Sequence, residues 1–429
     1  MGHQTEAACL LESGALYARR VLLRPASGDP IFVGFKSAAF SLYFGDAPIY
    51  HFDLEGRWQR AFVAGTHYLK GLDTTIQAID RVREGENLVL RRRTLGSAEA
   101  GDLDDRVRSA AQGVLEALGS RRLERVEPPS RARPLPPDEL RASLEQVARW
   151  DAAAWCAHRE RYIGTYGPLP LLPPDCLNAV VLQATLGHAR GSTFGLSAVT
   201  EHSVRSASEF EEHARTVAEL LGRRTLQSRS IFLGGGDVLR RPSEEVSAYL
   251  ETVARVFPIG AASRLEGIHA FLDDFSAPRP DRETWRIFRG LHLSRVSLGV
   301  ESGDPEVRAM YRKAWANEDL VAIVADLKAA GIGVGVLVLA GAGGAEHAAS
   351  HLAATADLIN ALELGPGDLV SLLDAEEVRD PHAGGPGFSP LTAERRAEQQ
   401  AGLKQRLLPV RTLQGAKVAP YSLEKQGLG

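Results

Sequence analysis

The chain has 429 residues, 44% of them apolar and 24% charged, with a formal net charge of -4. At about 100 to 200 residues per domain this means two or three domains, and the composition excludes a disordered, collagen-like or disulfide-stapled chain. The slight acidic excess gives no general pull toward nucleic acid or an anionic membrane surface, so neither is expected as a partner.

The longest apolar run, Ile332 to Ala342, is too short and too rich in glycine to cross a bilayer, which takes about 20 helical residues. The first residues carry acids and lack both a basic start and a long apolar stretch, so no signal peptide and a cytoplasmic location are expected. Cys9, Cys156 and Cys176 are the whole cysteine complement, and their spacing matches no metal or redox motif. No metal site is expected. Cys156, on a helical stripe with Trp155, and Cys176, just ahead of a strand, read as small buried apolar residues.

Residues 30 to 70 alternate short apolar segments with Gly, Asp and Pro breaks, a meander of strands. DTTIQAIDRV (73–82) reads as one or two helical turns, NLVLRR (87–92) as a strand and residues 103 to 118 as a helix, giving a small α+β domain over 1–119. Segment 120–137, with five prolines and five arginines and no periodicity, reads as an extended linker. From about Asp138, Leu140, Leu144, Val147 and Trp155 mark a helix leading into a second domain, 138–376.

There, strand-like segments at 178–186, 230–233, 267–272, 294–300, 332–340 and 368–373 alternate with amphipathic helices, such as the one marked by Phe210, Ala214, Val217 and Leu221. Six βα units with nearly continuous apolar strands require a parallel sheet covered by helices, as a barrel or a doubly wound sheet. Chemistry then belongs at the carboxyl ends of the strands. A helix near 392 to 408 and a short tail make a C-terminal helical extension, 377–429.

Four of those strand ends carry distinctive loops: TLGHARGSTFG (185–195), LGGGD (233–237), GVESGDPEV (299–307) and AGAGGAEH (340–347). Their order resembles the radical S-adenosylmethionine (SAM) superfamily over about residues 177–375, most closely in FLGGGDVL and in LGVESGDPEVRAMYRKAWANEDLVAIVADLKAAGIGV. The resemblance implies a partial (β/α)6 TIM-like barrel whose first loop holds a [4Fe-4S] cluster on three cysteines spaced CxxxCxxC. Here those positions fall on His188, Ser192 and Gly195. Imidazole can ligate iron, a serine hydroxyl is a poor anionic donor at neutral pH and glycine has no side chain, so the expectation is that no conventional cluster forms.

The resemblance also implies a SAM site. Gly234, Gly235, Gly236 and Asp237 match the loop whose backbone approaches the methionyl ammonium, Glu301 and Ser302 match the strand end that meets ribose hydroxyls, and the run from Val338 to Gly344 matches the segment flanking adenine. His347 and His351, spaced i, i+4, can present two imidazoles to one metal, but without an identifiable third ligand they read as packing or capping residues. In the N-terminal domain Tyr50, His51, Asp53, Arg57, Trp58, Arg60, His67, Tyr68 and Lys70 are concentrated enough to line a surface for a substrate or protein partner. The expectation is a pseudoenzyme-like barrel that keeps SAM or another adenosyl ligand without radical chemistry. The alternatives are an active enzyme whose cluster is anchored partly by His188, and a scaffold with neither cofactor.

Overall fold

The computed structural model describes residues 18–85, 87–126, 133–167, 169, 171–187, 202–235, 238–260, 263–276, 278–378, 388–407 and 415–423. The period-two alternation of the N-terminal residues produces an antiparallel meander: β1 (Arg19–Pro25), β2 (Ile31–Lys36), β3 (Ala39–Phe44), β4 (Ile49–Asp53), β5 (Trp58–Val63), β6 (Thr66–Lys70), β7 (Ile76–Glu84) and β8 (Asn87–Thr94). Ile31, Val33 and Phe35 of β2 point into the core while Phe32 and Gly34 are only half buried. Helix α1 (Ser97–Gly119) covers the buried face with Leu103, Val107, Ala111 and Val114, a stripe at helical spacing.

Two expectations are corrected here. DTTIQAIDRV is not helical: from Ile76 onward it is β7, paired to β6 and, from Gln77 to Glu84, to β8. Its β-branched residues suit a strand, and two neighbouring strands offer it backbone partners that a lone helical turn lacks. Nor is the proline-rich segment only a linker. Within it, β9 (Leu123–Val126) and β10 (Arg133–Pro134) both pair with β1, completing a ten-stranded sheet. β10 lies at the edge of this sheet, where proline is tolerated because no further strand needs its missing N–H.

Helices α2 (Pro137–Ala148) and α3 (Ala152–Thr165) follow, and Leu140, Leu144, Val147 and Trp155 join the core of the N-terminal sheet. Trp155 and His158 face inward. Cys156, about 100° further around the helix, is therefore exposed and not the buried residue expected.

The remaining elements are β11 (Val180–Gln183), the small antiparallel pair β12 (Thr185–Leu186) and β13 (Ser203–Val204), α4 (Ala207–Leu221), β14 (Ser230–Gly234), α5 (Ser243–Val256), β15 (Gly267–Leu272), α6 (Arg282–Gly290), β16 (Leu293–Glu301), α7 (Pro305–Met310), α8 (Asn317–Ala329), β17 (Gly333–Ala340), α9 (Gly344–Ala361), β18 (Leu369–Asp374), α10 (Ala393–Arg406) and β19 (Lys417–Tyr421). All seven main strands run parallel in the order β11-β14-β15-β16-β17-β18-β19, each beside the next main strand in the chain, and among the described residues the first and last do not pair, so the barrel is open. The seventh strand comes from the tail, which the sequence showed only as a helical extension. Strands buried on both faces explain the continuous apolar runs: Val334, Val336 and Val338 pack with Ile323, Val324, Leu358 and Ile359 of the helices, while Leu337 and Leu339 pack with Leu373 and Tyr421 on the opposite face. Among the described residues no helix is long and apolar enough to cross a membrane.

The sheet docks on the barrel through buried charge. Arg57 donates from Nε to Asp53 Oδ2 at 2.7 Å and from its two terminal nitrogens to the carbonyls of Leu220 and Leu221 at 2.8 and 2.6 Å. Those carbonyls end α4, where helix partial charge is negative and backbone acceptors lack partners within the helix. Arg223 binds Glu55 at 2.9 Å alongside.

Candidate functional site

At the carboxyl end of β14, Gly234 closes the strand and Gly235 takes φ +106°. A Cβ on Gly235 would lie 1.7 Å from Thr185 Oγ1, so the loop and β12 touch at a spacing only glycine permits. The Thr185 side chain thus packs directly on the Gly235 backbone at the strand end.

Two strands along, past β15, a bulge between Gly299 and Glu301 ends β16, and Glu301 adopts φ +55°, a left-handed conformation unusual for a residue with a Cβ. Its carboxylate is buried at 4% exposure and pairs with Lys313 Nζ at 2.5 Å, while Lys313 also donates to the Gly299 carbonyl at 2.8 Å. Burial pushes the Glu301 carboxyl above its ordinary range, and the Lys313 ammonium pulls it back. Strain of this kind, of order 1–3 kcal/mol, concentrates where a fold over-determines a functional residue. Lys313 escaped sequence reasoning because it lies twelve positions beyond Glu301, in the connection between α7 and α8, where a single lysine carries no spacing signal.

The rest of the motif is scaffold. Ser302 Oγ accepts from Asp304 N at 3.0 Å and meets His351 Nδ1 at 2.8 Å, and Thr355 Oγ1 accepts from Gly303 N at 2.8 Å. Burial lowers His351 to about 4, so its imidazole is neutral at pH 7. Buried Arg308 donates to the Ser302 and Gly303 carbonyls and to Asn317 Oδ1 at 2.6 Å, and stacks on Trp315 at 4.2 Å. A Cβ on Gly303 would come within 2.3 Å of the Ala354 carbonyl oxygen, so this loop is clamped against α9. These contacts fix the backbone that carries Glu301. His347 turns toward Glu306, 3.8 Å away, and among the described residues it shares no three-ligand cluster with His351.

Of the residues singled out by sequence, Gly234, Gly235 and Glu301 thus lie at the carboxyl ends of β14 and β16. Ser302 has its hydroxyl engaged internally. Val338 belongs to the layer beneath the helices, and strand alternation gives the opposite face to Leu337 and Leu339, which the period-two rule could have selected. Gly236, Asp237, His188, Ser192 and Gly195 lie outside the described residues. The N-terminal constellation is divided: Tyr50, Asp53, Arg57, Trp58 and Lys70 are buried, with Lys70 Nζ 3.5 Å from the Trp155 ring and paired to Asp104 at 2.5 Å, whereas Arg60 and His67 are exposed.

Residues 201–357 match the model of the radical SAM superfamily. No curated protein matches the chain. Solved structures similar to it include the cobalamin-dependent radical SAM enzyme OxsB (13% identity, TM-score 0.34, covering 42% of this chain and 27% of that one). Coproporphyrinogen III oxidase (HemN) from Escherichia coli gives 14% identity and a TM-score of 0.35, covering 47% of this chain and 46% of that one. Methylornithine synthase (PylB) gives 14% identity and a TM-score of 0.39, covering 58% and 69%. The chain spans less than half the length of the first two, and likenesses this distant say nothing about reaction or substrate. The match over 201–357 falls on the α/β domain of parallel strands that follows a strand-rich N-terminal domain, and it supports the radical SAM superfamily for that domain.

Proposed function

We propose that this protein is a cluster-less radical-SAM-type barrel that binds SAM or a related adenosyl compound in an accessory or regulatory role. The observation that carries the proposal is the thiol supply. A cluster of this type takes three thiolates, and the chain has three cysteines in all. Cys156 lies exposed on α3, and Cys176 precedes β11 at the amino end of the strands, beside His269 and Arg295, whereas the loops that meet ligands lie at the carboxyl ends. His188, Ser192 and Gly195 occupy the cluster positions in the sequence. This donor set does not fit a [4Fe-4S] cluster.

The adenosyl half fits better. Gly234 and Gly235 bring backbone without side chains to the end of β14, where carbonyls suit an ammonium group, and Glu301, held by Lys313, is a carboxylate able to accept from vicinal hydroxyls. Leu337 and Leu339 supply apolar surface that excludes water. SAM, when bound, supplies a sulfonium with an activated methyl group. Without an open iron to chelate its amino acid part, binding is expected to be weak, each lost tenfold corresponding to about 1.4 kcal/mol.

Calorimetry with SAM and with S-adenosylhomocysteine tests this. Saturable binding is expected, weakened about 10-fold or more by Glu301→Gln, which keeps the volume and removes the charge-assisted hydrogen bonds. No heat and no thermal shift at millimolar ligand would leave a scaffold with no cofactor.

A further inference from the structure

At the opposite end of the barrel three side chains of different chemistry converge. Asp175 and Cys176 lie on the approach to β11, and His269 is the third residue of β15. Cys176 Sγ is 3.2 Å from His269 Nδ1, His269 Nδ1 is 3.4 Å from Asp175 Oδ2, and Cys176 Sγ is 3.8 Å from Asp175 Oδ1. The three ligand atoms all lie within 4.8 Å of one another. We propose that Asp175, Cys176 and His269 form a site for one zinc-class divalent cation, independent of the carboxyl-end loops and of the function proposed above.

The distances carry the argument. With Zn–S near 2.3 Å and Zn–N and Zn–O near 2.1 Å, the ligand-to-ligand edges of a tetrahedron are about 3.4 to 3.6 Å. The two separations that meet at His269 Nδ1, 3.2 Å to Cys176 Sγ and 3.4 Å to Asp175 Oδ2, match those edges, and the third edge, within 4.8 Å, closes by rotation of the Asp175 carboxylate, whose other oxygen is 3.8 Å from Sγ. Donor chemistry agrees: one thiolate, one imidazole and one carboxylate form a set suited to zinc or cobalt, and two anionic ligands neutralise the ion's charge. Access agrees as well. Cys176 is fully buried, but the His269 and Asp175 side chains are 15% and 24% exposed, which leaves room for a water as fourth ligand.

The neighbouring arginine suits an orienting role. Arg295 Nε lies 3.1 Å from Asp175 Oδ2, and its Nη2 donates to the Gly367 carbonyl at 2.7 Å. Carboxylates that bind metals are themselves held by such partners. A cation here would join the approach to β11 to β15 and, through Arg295, to β16. Sequence spacing could not reveal the site, because 93 residues separate Cys176 from His269.

The test uses the full-length protein, stripped with a chelator and titrated with Co2+ alone and then Zn2+ alone. One equivalent of Co2+ should give near-ultraviolet thiolate-to-cobalt absorption and the visible bands of a tetrahedral ion, both lost on adding Zn2+. Cys176→Ser should remove the near-ultraviolet absorption, Asp175→Asn should weaken binding about 10-fold or more, and Cys156→Ser should change neither. Circular dichroism in chelator establishes that each variant is folded, and the wild-type titration decides the matter if one is not. No thiolate absorption in wild type, or absorption that survives Cys176→Ser and disappears in Cys156→Ser, would overturn the proposal and leave a hydrogen-bonded Cys–His–Asp–Arg cluster.

Discussion

Arg57→Ala is expected to lower the unfolding free energy by about 3–5 kcal/mol, because it breaks a buried ion pair by removing one partner. Asp53 is fully buried, and its carboxylate would lose the guanidinium 2.7 Å away. The same substitution strips the Leu220 and Leu221 carbonyls of their donor at the end of α4. Both losses fall on the contact between the N-terminal sheet and the barrel, so the two should unfold less cooperatively in the variant. Arg57→Lys keeps the charge but lacks a planar fork able to serve the carboxylate and two carbonyls together, and should recover only part of the loss. Denaturant unfolding followed by tryptophan fluorescence and far-ultraviolet circular dichroism checks this. A loss of about 1 kcal/mol or less, the value of an exposed pair, would contradict it.

His188→Cys, Ser192→Cys and Gly195→Cys together are expected to let the protein take up iron and sulfide that the wild type does not. The triple substitution creates three thiolates at the x3, x2 spacing a [4Fe-4S] cluster requires, without touching Gly234, Gly235 or Glu301. Each change exchanges one side chain, and the fold should tolerate them at about 1–3 kcal/mol. Iron, acid-labile sulfide and visible absorption after anaerobic reconstitution provide the readout. A folded triple variant with wild-type iron content would mean that the loop no longer presents these positions to one metal centre.

Much of the fold was legible because parallel strands buried on both faces must be written as apolar runs, and six of the seven main strands were. The seventh, β19, was hidden: KVAPY is short, half exposed and interrupted by proline, and only its pairing to β18 makes it a strand. β7 was misread for the converse reason, since its short amphipathic pattern is compatible with either period until β6 and β8 are in place. Gly235 and Glu301 were singled out through the resemblance of their loops rather than from spacing, and both take a positive φ at a strand end. Lys313 was not, because it reaches Glu301 from the connection between α7 and α8, and Leu337 and Leu339 were not, because their place depends on which face of β17 is turned away from the helices. The Asp175, Cys176 and His269 cluster depends wholly on tertiary contact between elements far apart in the chain.

The most direct measurement combines two assays on one sample of anaerobically reconstituted wild-type protein: iron and sulfide content, then titration with SAM. A cluster-less adenosyl-binding barrel is expected to give sulfide at background, no stoichiometric iron, and saturable adenosyl binding. About four irons with matching sulfide per chain, and a reducible cluster spectrum, would contradict it.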